Sequence, residues 1–335
     1  MSFTTDQLRA VLLHAALAFL FLTAAAMPIS AQPAPRQPEP IAGTPPPVLR
    51  QVQAPAFATP EAAVHALIAA LQAPTVEPLI AILGQRVLDS VPRDERQRSE
   101  MRRAAGAWLA DQSSAITYPD EAQSRAVALF GAAQVPLPAV LTRLARGWAF
   151  DQQATIGAMR ERRIGVNEAN AIRGLRALAQ AQERFRITDR TGDGVLQYAR
   201  RIRSSPGQSD GLVASHFVPG PSIDHLNEAF ARAEDDPEKP VLIPPGGYTY
   251  KILTGQGSHA EGGARSYLVN GRLTEGYAVV AWPVRPGETG LSTFIMDHRG
   301  VIFEHEFGAR TADEARRITT FDPDPGWNRV QESEQ

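Results

Sequence analysis

Between Asn167 and Tyr198 the chain reads NEANAIRGLRALAQAQERFRITDRTGDGVLQY, and its first half is the clearest amphipathic helix in the sequence. Ala171, Leu175, Leu178 and Phe185, with Ile172 and Ala179 beside them, recur at three- and four-residue steps. Arg173, Arg176, Gln180 and Arg184 take the opposite side. That spacing matches the 3.6-residue period of a helix with one apolar face. Asn167 predicts the N-cap, because its side-chain oxygen can accept an amide of the first turn. The Thr191-Gly192-Asp193-Gly194 run after Asp189 has the composition that ends helices and turns chains. Everything C-terminal of it reads as short strands that need such a face to pack on. The expectation is a spine helix lying on a sheet.

The rest of the composition excludes more than it selects. At 335 residues the length allows two domains of ordinary size beyond the N-terminus. A net charge of −2 leaves no electrostatic footprint for nucleic acid. The chain has no cysteine, so thiol catalysis, disulfides and thiolate metal sites fall away together. The lysines are Lys239 and Lys251 alone, and neither follows a glycine loop, which excludes P-loop phosphate chemistry.

Location is written at the N-terminus. Arg9 precedes the apolar run AVLLHAALAFLFLTAAAM, then come Pro28 and the small-residue exit Ile29-Ser30-Ala31. This is the pattern of a secretory signal, with cleavage expected after residue 31. A retained anchor is the alternative, since Ala10 to Met27 reaches about the lower length limit for a membrane span. No cysteine follows, so a lipoprotein anchor is excluded. The expected location is periplasmic or secreted, with no membrane contact once the signal is removed. Residues 32–55 carry prolines at 33, 35, 38, 40, 45, 46, 47 and 55, and predict an extended linker that cannot bury enough surface to fold.

Two α+β domains are expected beyond the linker, a small one over 56–156 and a helix-plus-antiparallel-sheet domain over 157–330. In the first, Thr59-Pro60-Glu61 reads as an N-cap, a proline at the first helical position and an acid in the first turn. Further helices are expected over Val76–Leu83, ended by Gly84, and from about Arg93 to Leu109. Strands follow over Ser124–Phe130 and Ala139–Asp151, with Trp148 and Phe150 on one face. Gly157–Gly165 reads as a direct junction between domains in contact. In the second domain a loop-rich stretch over Ser204–Pro221 precedes a helix over Ile223–Ala233. Strands are expected over Tyr248–Leu253, Ser266–Asn270, Tyr277–Trp282, Leu291–Met296 and Val301–Phe307, separated by glycine turns as in an antiparallel meander. Thr311-Ala312-Asp313-Glu314 predicts a capping box opening a last helix that ends near Phe321.

The chemical motifs are partial. Asp189, Thr191 and Asp193, followed by Gly194, match the front of a calcium loop and are the candidate metal ligands. The mechanism needs a bidentate glutamate at position 12, where Arg200 stands, so a cation-free turn is the favoured reading. Gly207-Gln208-Ser209-Asp210-Gly211 satisfies the hydrolase string G-x-S-x-G but lacks the strand before it and the helix after it. Gly255-Gln256-Gly257-Ser258-His259-Ala260 returns to strand within a few residues, and so reads as a hairpin loop rather than a dinucleotide turn. Asp297, His298, Glu304, His305 and Glu306 suggest a metal site. The two histidines, however, are separated by about 16 Å of extended strand, and His305 alternates with apolar residues. Trp108, Tyr118, Phe130, Trp148 and Phe150 suit a pocket or a core equally.

A run of segments carries a resemblance. FATPEAAVHALIAAL, GWAFD, RRIGVNEANAI, SPGQSDGL, GYTYKILTGQG, YLVNGRLTEGYAVVAWP, TFIMDHRGVIFEHEFG and FDPDPGW occur in that order. On these the chain resembles the exported bacterial family known as domain of unknown function 2950, over about residues 56–330. The family's Asp189 loop more often reads D-R-D-G-D-G-V-L-E-Y, and Thr191 and Gln197 here replace two of its acids. The tryptophan-proline run before the first domain's last strand is reduced here to Val135-Pro136-Leu137-Pro138. The second half is also similar to pilin-like folds, an analogy of fold that carries no function. The resemblance attaches no reaction, cofactor or catalytic residue. The functional expectation is a non-enzymatic envelope protein that binds a partner protein or a small ligand. The alternatives are a periplasmic hydrolase that gathers His216, His225 or His259 with a buried carboxylate, and a calcium-stabilised structural module.

Overall fold

The computed structural model describes residues 54–88, 95–189, 194–205, 207, 210–213, 241–243 and 247–331. The expected signal, nearly all of the linker and the expected helix over Ile223–Ala233 lie outside the described residues. Two compact units divide the chain, Met1–Met159 and Arg160–Gln335, and each is described by itself. Helices and antiparallel sheets together make the fold mixed α+β, as expected.

The first unit opens with helices α1 (Pro60–Gln72), α2 (Glu77–Leu83), α3 (Gln85–Leu88) and α4 (Glu95–Ala110). Thr59 caps α1 by accepting the Ala62 amide at 3.2 Å, with Pro60 first in the helix. Gly84 ends α2. An antiparallel sheet follows, built from β1 (Ser114–Thr117), β2 (Arg125–Phe130), β3 (Val135–Pro136), β4 (Leu141–Leu144) and β5 (Gly147–Phe150). The expected strand over Ala139–Asp151 is instead the β4–β5 hairpin, which pairs Leu141 with Phe150 and Leu144 with Gly147. Strand β1 is mostly exposed, so no apolar alternation announces it. Val64, Leu67, Leu71, Leu109, Phe130, Leu141, Trp148 and Phe150 form the core. The aromatic set is thus mainly core, while Tyr118 lies at the surface with its ring 6.0 Å from that of Trp148. Phe57 exchanges two backbone hydrogen bonds of 2.7 Å with Trp148, which ties the start of the folded chain to the sheet.

One buried charge holds this unit together. The Arg102 guanidinium, on α4, donates to the carbonyls of Ala70, Leu71, Ala73 and Pro74 at 3.1, 2.8, 2.7 and 3.4 Å. The last carbonyls of a helix have no partner within it and carry the negative end of its dipole, so a cation there satisfies both needs.

The second unit departs from expectation at its spine. Helix α5 spans Gln152–Arg186, 35 residues, so Asn167 is not its cap, and Gly157–Gly165 is helical, with the division between the two units falling inside it after Met159. Asp151 is the cap, accepting the Ala154 amide at 2.9 Å. The alanine, methionine, glutamate and arginines between the two glycines favour helix, and that outweighs a cost of about 1 kcal/mol for each glycine. Asn167 is buried mid-helix, where it donates to the Thr289 carbonyl at 2.8 Å. Next to it, Glu168 accepts the amides of Leu291 and Ser292 at 2.8 and 3.1 Å. The predicted apolar stripe is as read, with Ala171, Leu175 and Leu178 fully buried.

A parallel pair, β6 (Arg201–Arg203) and β7 (Gly211–Val213), follows α5 in the stretch read as loop. The main sheet comprises β8 (Val241–Ile243), β9 (Tyr248–Leu253), β14 (Ala278–Pro283), β15 (Thr293–Asp297), β16 (Ile302–His305) and β17 (Asn328–Arg329) in that spatial order, all antiparallel. Between β9 and β14 the chain makes two small pairs outside it. They are β10 (Gly255–Gln256) with β11 (Arg265–Ser266), and β12 (Leu268–Val269) with β13 (Arg272–Leu273). The expected strand over Ser266–Asn270 is therefore broken, and Tyr267 at the break is fully buried. Every residue of β14 and β15 is buried, which explains the unbroken apolar run of β14. On one face Gly174 of α5 lies under the Tyr250 hydroxyl, so close that a Cβ there would sit 2.8 Å from it. On the other, Lys251 donates to the Arg316 carbonyl at 2.9 Å. Helix α6 (Thr311–Arg317) is shorter than expected and has no capping box. Thr311 is its first residue and donates its hydroxyl to the Gly308 carbonyl at 2.7 Å. Among the described residues no helix is long and apolar enough to cross a membrane.

Arg102→Leu leaves two terminal carbonyls of α1 unpaired in a buried setting. The expected loss is about 2–3 kcal/mol of stability in urea unfolding followed by tryptophan fluorescence. Arg102→Lys, without the planar fork, recovers less than half of it.

Candidate functional site

An open depression of about 450 Å³ lies in the second unit between the last turns of α5 and the β15–β16 turn. Helix spacing puts Gln180, Glu183 and Arg184 on one face. Tyr277, which leads into β14, and His298, Arg299 and Gly300 of the turn complete the lining, with Ala179. The turn is built by Asp297, which is 1% exposed. Its carboxylate accepts the amides of Arg299 and Val301, both at 3.1 Å, and Nε of Arg299 at 2.6 Å. Gly300, at φ +81, takes the left-handed conformation the turn requires. Arg299 also pairs with Glu261, so its charge is fully engaged.

His298 is wedged in place. A Cβ on Gly276 would meet its ring at 2.9 Å, and the Tyr267 ring stands edge-on at 5.6 Å. Burial, with help from Arg265 and Arg299, holds its pKa below the ordinary value against the pull of Asp297 and Glu183. The imidazole is therefore neutral at pH 7. Tyr277 is 0% exposed, and its ring centroid lies 4.9 Å from that of Tyr198. Burial pushes its pKa far up, so the hydroxyl keeps its proton. Two polar atoms of this lining, the Tyr277 hydroxyl and Nδ1 of His298, are buried without any hydrogen-bond partner. Such atoms are rare because each costs desolvation that nothing returns. Glu183 beside them is engaged, with the Tyr198 hydroxyl donating to it at 3.2 Å and Arg186 at 3.8 Å.

Of the residues singled out in the sequence, Asp297 and His298 belong to this turn, and Asp189, His259 and His305 lie elsewhere. Asp189 is exposed and accepts the Gly194 amide, five residues on, at 2.7 Å. Thr191 and Asp193 lie outside the described residues, as do His216, His225 and Ser209. The G-x-S-x-G segment runs into strand β7 where a nucleophile elbow would start a helix. Gly255–Ser266 is a hairpin, as read. His259 lies in it, its ring 49% exposed and 3.0 Å from Asp322. His305 packs its ring against Phe307 and Trp327 at 4.3 and 5.4 Å and contacts the Gly326 carbonyl at 2.6 Å. It pairs across the sheet with Thr293, at the far end of β15 from His298. Among the described residues no group of three or more histidine, aspartate or glutamate side chains is placed to hold a metal ion.

The fold is mixed α+β, and this depression in its second unit is lined by both polar and apolar side chains. The chain belongs to the family described as Protein of unknown function (DUF2950), whose model matches residues 54–330. Neither a curated protein nor a solved structure shows significant similarity to it.

The orphaned hydroxyl has a thermodynamic signature. Tyr277→Phe deletes the unpaired oxygen and keeps the ring, so the ligand-free protein is expected to gain about 1 kcal/mol in urea unfolding. His298 has another. Below the unfolded-state pKa of about 6.5, the unfolded chain binds a proton that the folded chain refuses, so stability falls as pH drops. Thermal melts from pH 7 to 5.5 should therefore show a steeper decline for the wild type than for His298→Gln.

Proposed function

We propose that the protein is exported and works as a non-enzymatic binding protein, taking a small ligand in the α5 pocket of its second unit. The observation that carries this is the pair of buried, unpartnered polar atoms on Tyr277 and His298, both residues of one lining. A ligand that satisfies them recovers free energy the unliganded fold forgoes. The signal-like N-terminus supports export to the periplasm or beyond. The hydrolase alternative wanted His216, His225 or His259 beside a buried carboxylate. His259 is solvated and its partner Asp322 is exposed to a similar degree, which favours binding over hydrolysis.

Native mass spectrometry of the protein isolated from envelope extracts tests both halves. The expected chain begins at Gln32 and carries a small-molecule mass increment that is lost in Gln180→Trp, which fills the exposed side of the pocket. An N-terminus retained with membrane fractionation would overturn cleavage of the signal in favour of the anchor, and recovery of the intact chain from the cytoplasm would refute export. A chain without increment, or an increment unchanged by Gln180→Trp, would refute binding at this site.

A further inference from the structure

Resting on that reading of the pocket, we propose that its ligand is a small oxyanion, a carboxylate or phosphate group, received by the Arg184 guanidinium, the Tyr277 hydroxyl and the His298 imidazole. The argument is an inventory of hydrogen-bonding capacity at the lining. Glu183 is engaged by Tyr198 and Arg186. Arg299 is engaged by Asp297 and Glu261. Arg184 is exposed on the same helical face and, among the described residues, is the charged side chain of the lining with neither an ion pair nor a hydrogen bond. What remains unspent among the described residues is therefore a guanidinium fork, a protonated phenol, an imidazole nitrogen and the exposed Gln180 amide, which can donate or accept and so selects no charge. The fork and the phenol are donors, and the imidazole becomes one when it takes up a proton or places its single proton on Nδ1. Planar guanidinium donors match carboxylate and phosphate oxygens in pairs.

A cationic ligand would have to displace Tyr198 or Arg186 from Glu183. A neutral ligand would leave Arg184 unused. The nearby C-terminus of α5 presents negative partial charge, which opposes an anion, but Arg184 and Arg186 sit in its last turns and offset it. The groups facing His298 are the carboxylates of Asp297 and Glu183, the guanidiniums of Arg265 and Arg299, and the Tyr267 ring. An added anion joins the carboxylates and favours the imidazolium. Affinity should therefore rise as pH falls from 8 to 6, while His298→Gln should bind with little pH dependence.

The test follows the imidazole resonance of His298, assigned by its loss in His298→Gln, while inorganic phosphate, acetate, methylammonium or glucose is titrated into the intact chain at constant ionic strength. A saturable shift with phosphate, with acetate or with both is expected, and which of the two responds distinguishes the source of the oxyanion. Arg184→Gln, at an exposed position with no partner to lose, should weaken that binding about tenfold or more. Tyr277→Phe should weaken it several-fold without loss of stability. A response to methylammonium or glucose alone overturns the oxyanion and leaves ligand binding standing. Unchanged affinity in Arg184→Gln overturns the assignment of residues. No response to any of the four, in a protein that also carries no mass increment from the envelope, overturns both readings.

Discussion

The second unit depends on the burial of one helical stripe. Ala171, Leu175 and Leu178 are removed from water completely, and each leucine contributes roughly 1.5–3 kcal/mol by that burial. The stripe covers one face of a sheet whose two central strands are apolar along their whole length, so neither face of β14 or β15 could be left in water. Two polar residues, Asn167 and Glu168, fix the helix along its axis by bonding the backbone of the segment just before β15. The pocket is a by-product of that register. Its helical wall, Gln180, Glu183 and Arg184, lies on the polar side of α5, while the buried face continues through Gln182 and Phe185.

The opposite wall is rigid for a different reason. Asp297 is a buried carboxylate that spends its lone pairs on the turn it begins and on Arg299. Charge-assisted bonds of this kind are about twice as strong as neutral ones, so the turn carrying His298 is fixed before any ligand arrives. Polar groups fully satisfied in the turn contrast with two left unsatisfied beside it. The satisfied groups hold the turn, and the unsatisfied ones are the recognition elements of the proposed site.

Much of the fold was legible because it is periodic. The stripe of α5, the cap at Thr59, the glycine end of α2 and the strands β9, β14, β15 and β16 follow from spacing and local chemistry. The misreadings share one cause, which is a local preference overruled by tertiary context. Asn167 has the chemistry of a cap but uses it on the Thr289 carbonyl, and the glycines upstream are carried inside a helix whose neighbours favour it. Thr311 has the right neighbours for a capping box, yet its hydroxyl turns back to the Gly308 carbonyl. The pocket was illegible for a stronger reason. Glu183, Tyr277 and His298 are far apart in sequence, and only the order of the strands brings them together. The available traces were the Asp297-His298 pair, within a cluster that suggests a metal site, and a tyrosine at the head of a strand otherwise without hydrogen-bonding side chains until Trp282.

Gly174 has a mechanical consequence. Its missing Cβ lets α5 settle against the Tyr250 hydroxyl. Six residues further on, about 9 Å along the axis, Gln180 begins the pocket wall. The glycine is thus a fulcrum, and a methyl group inserted there would lift the helix as a lever and widen the cleft at its far end. The aperture of the depression is tied to a residue that does not line it.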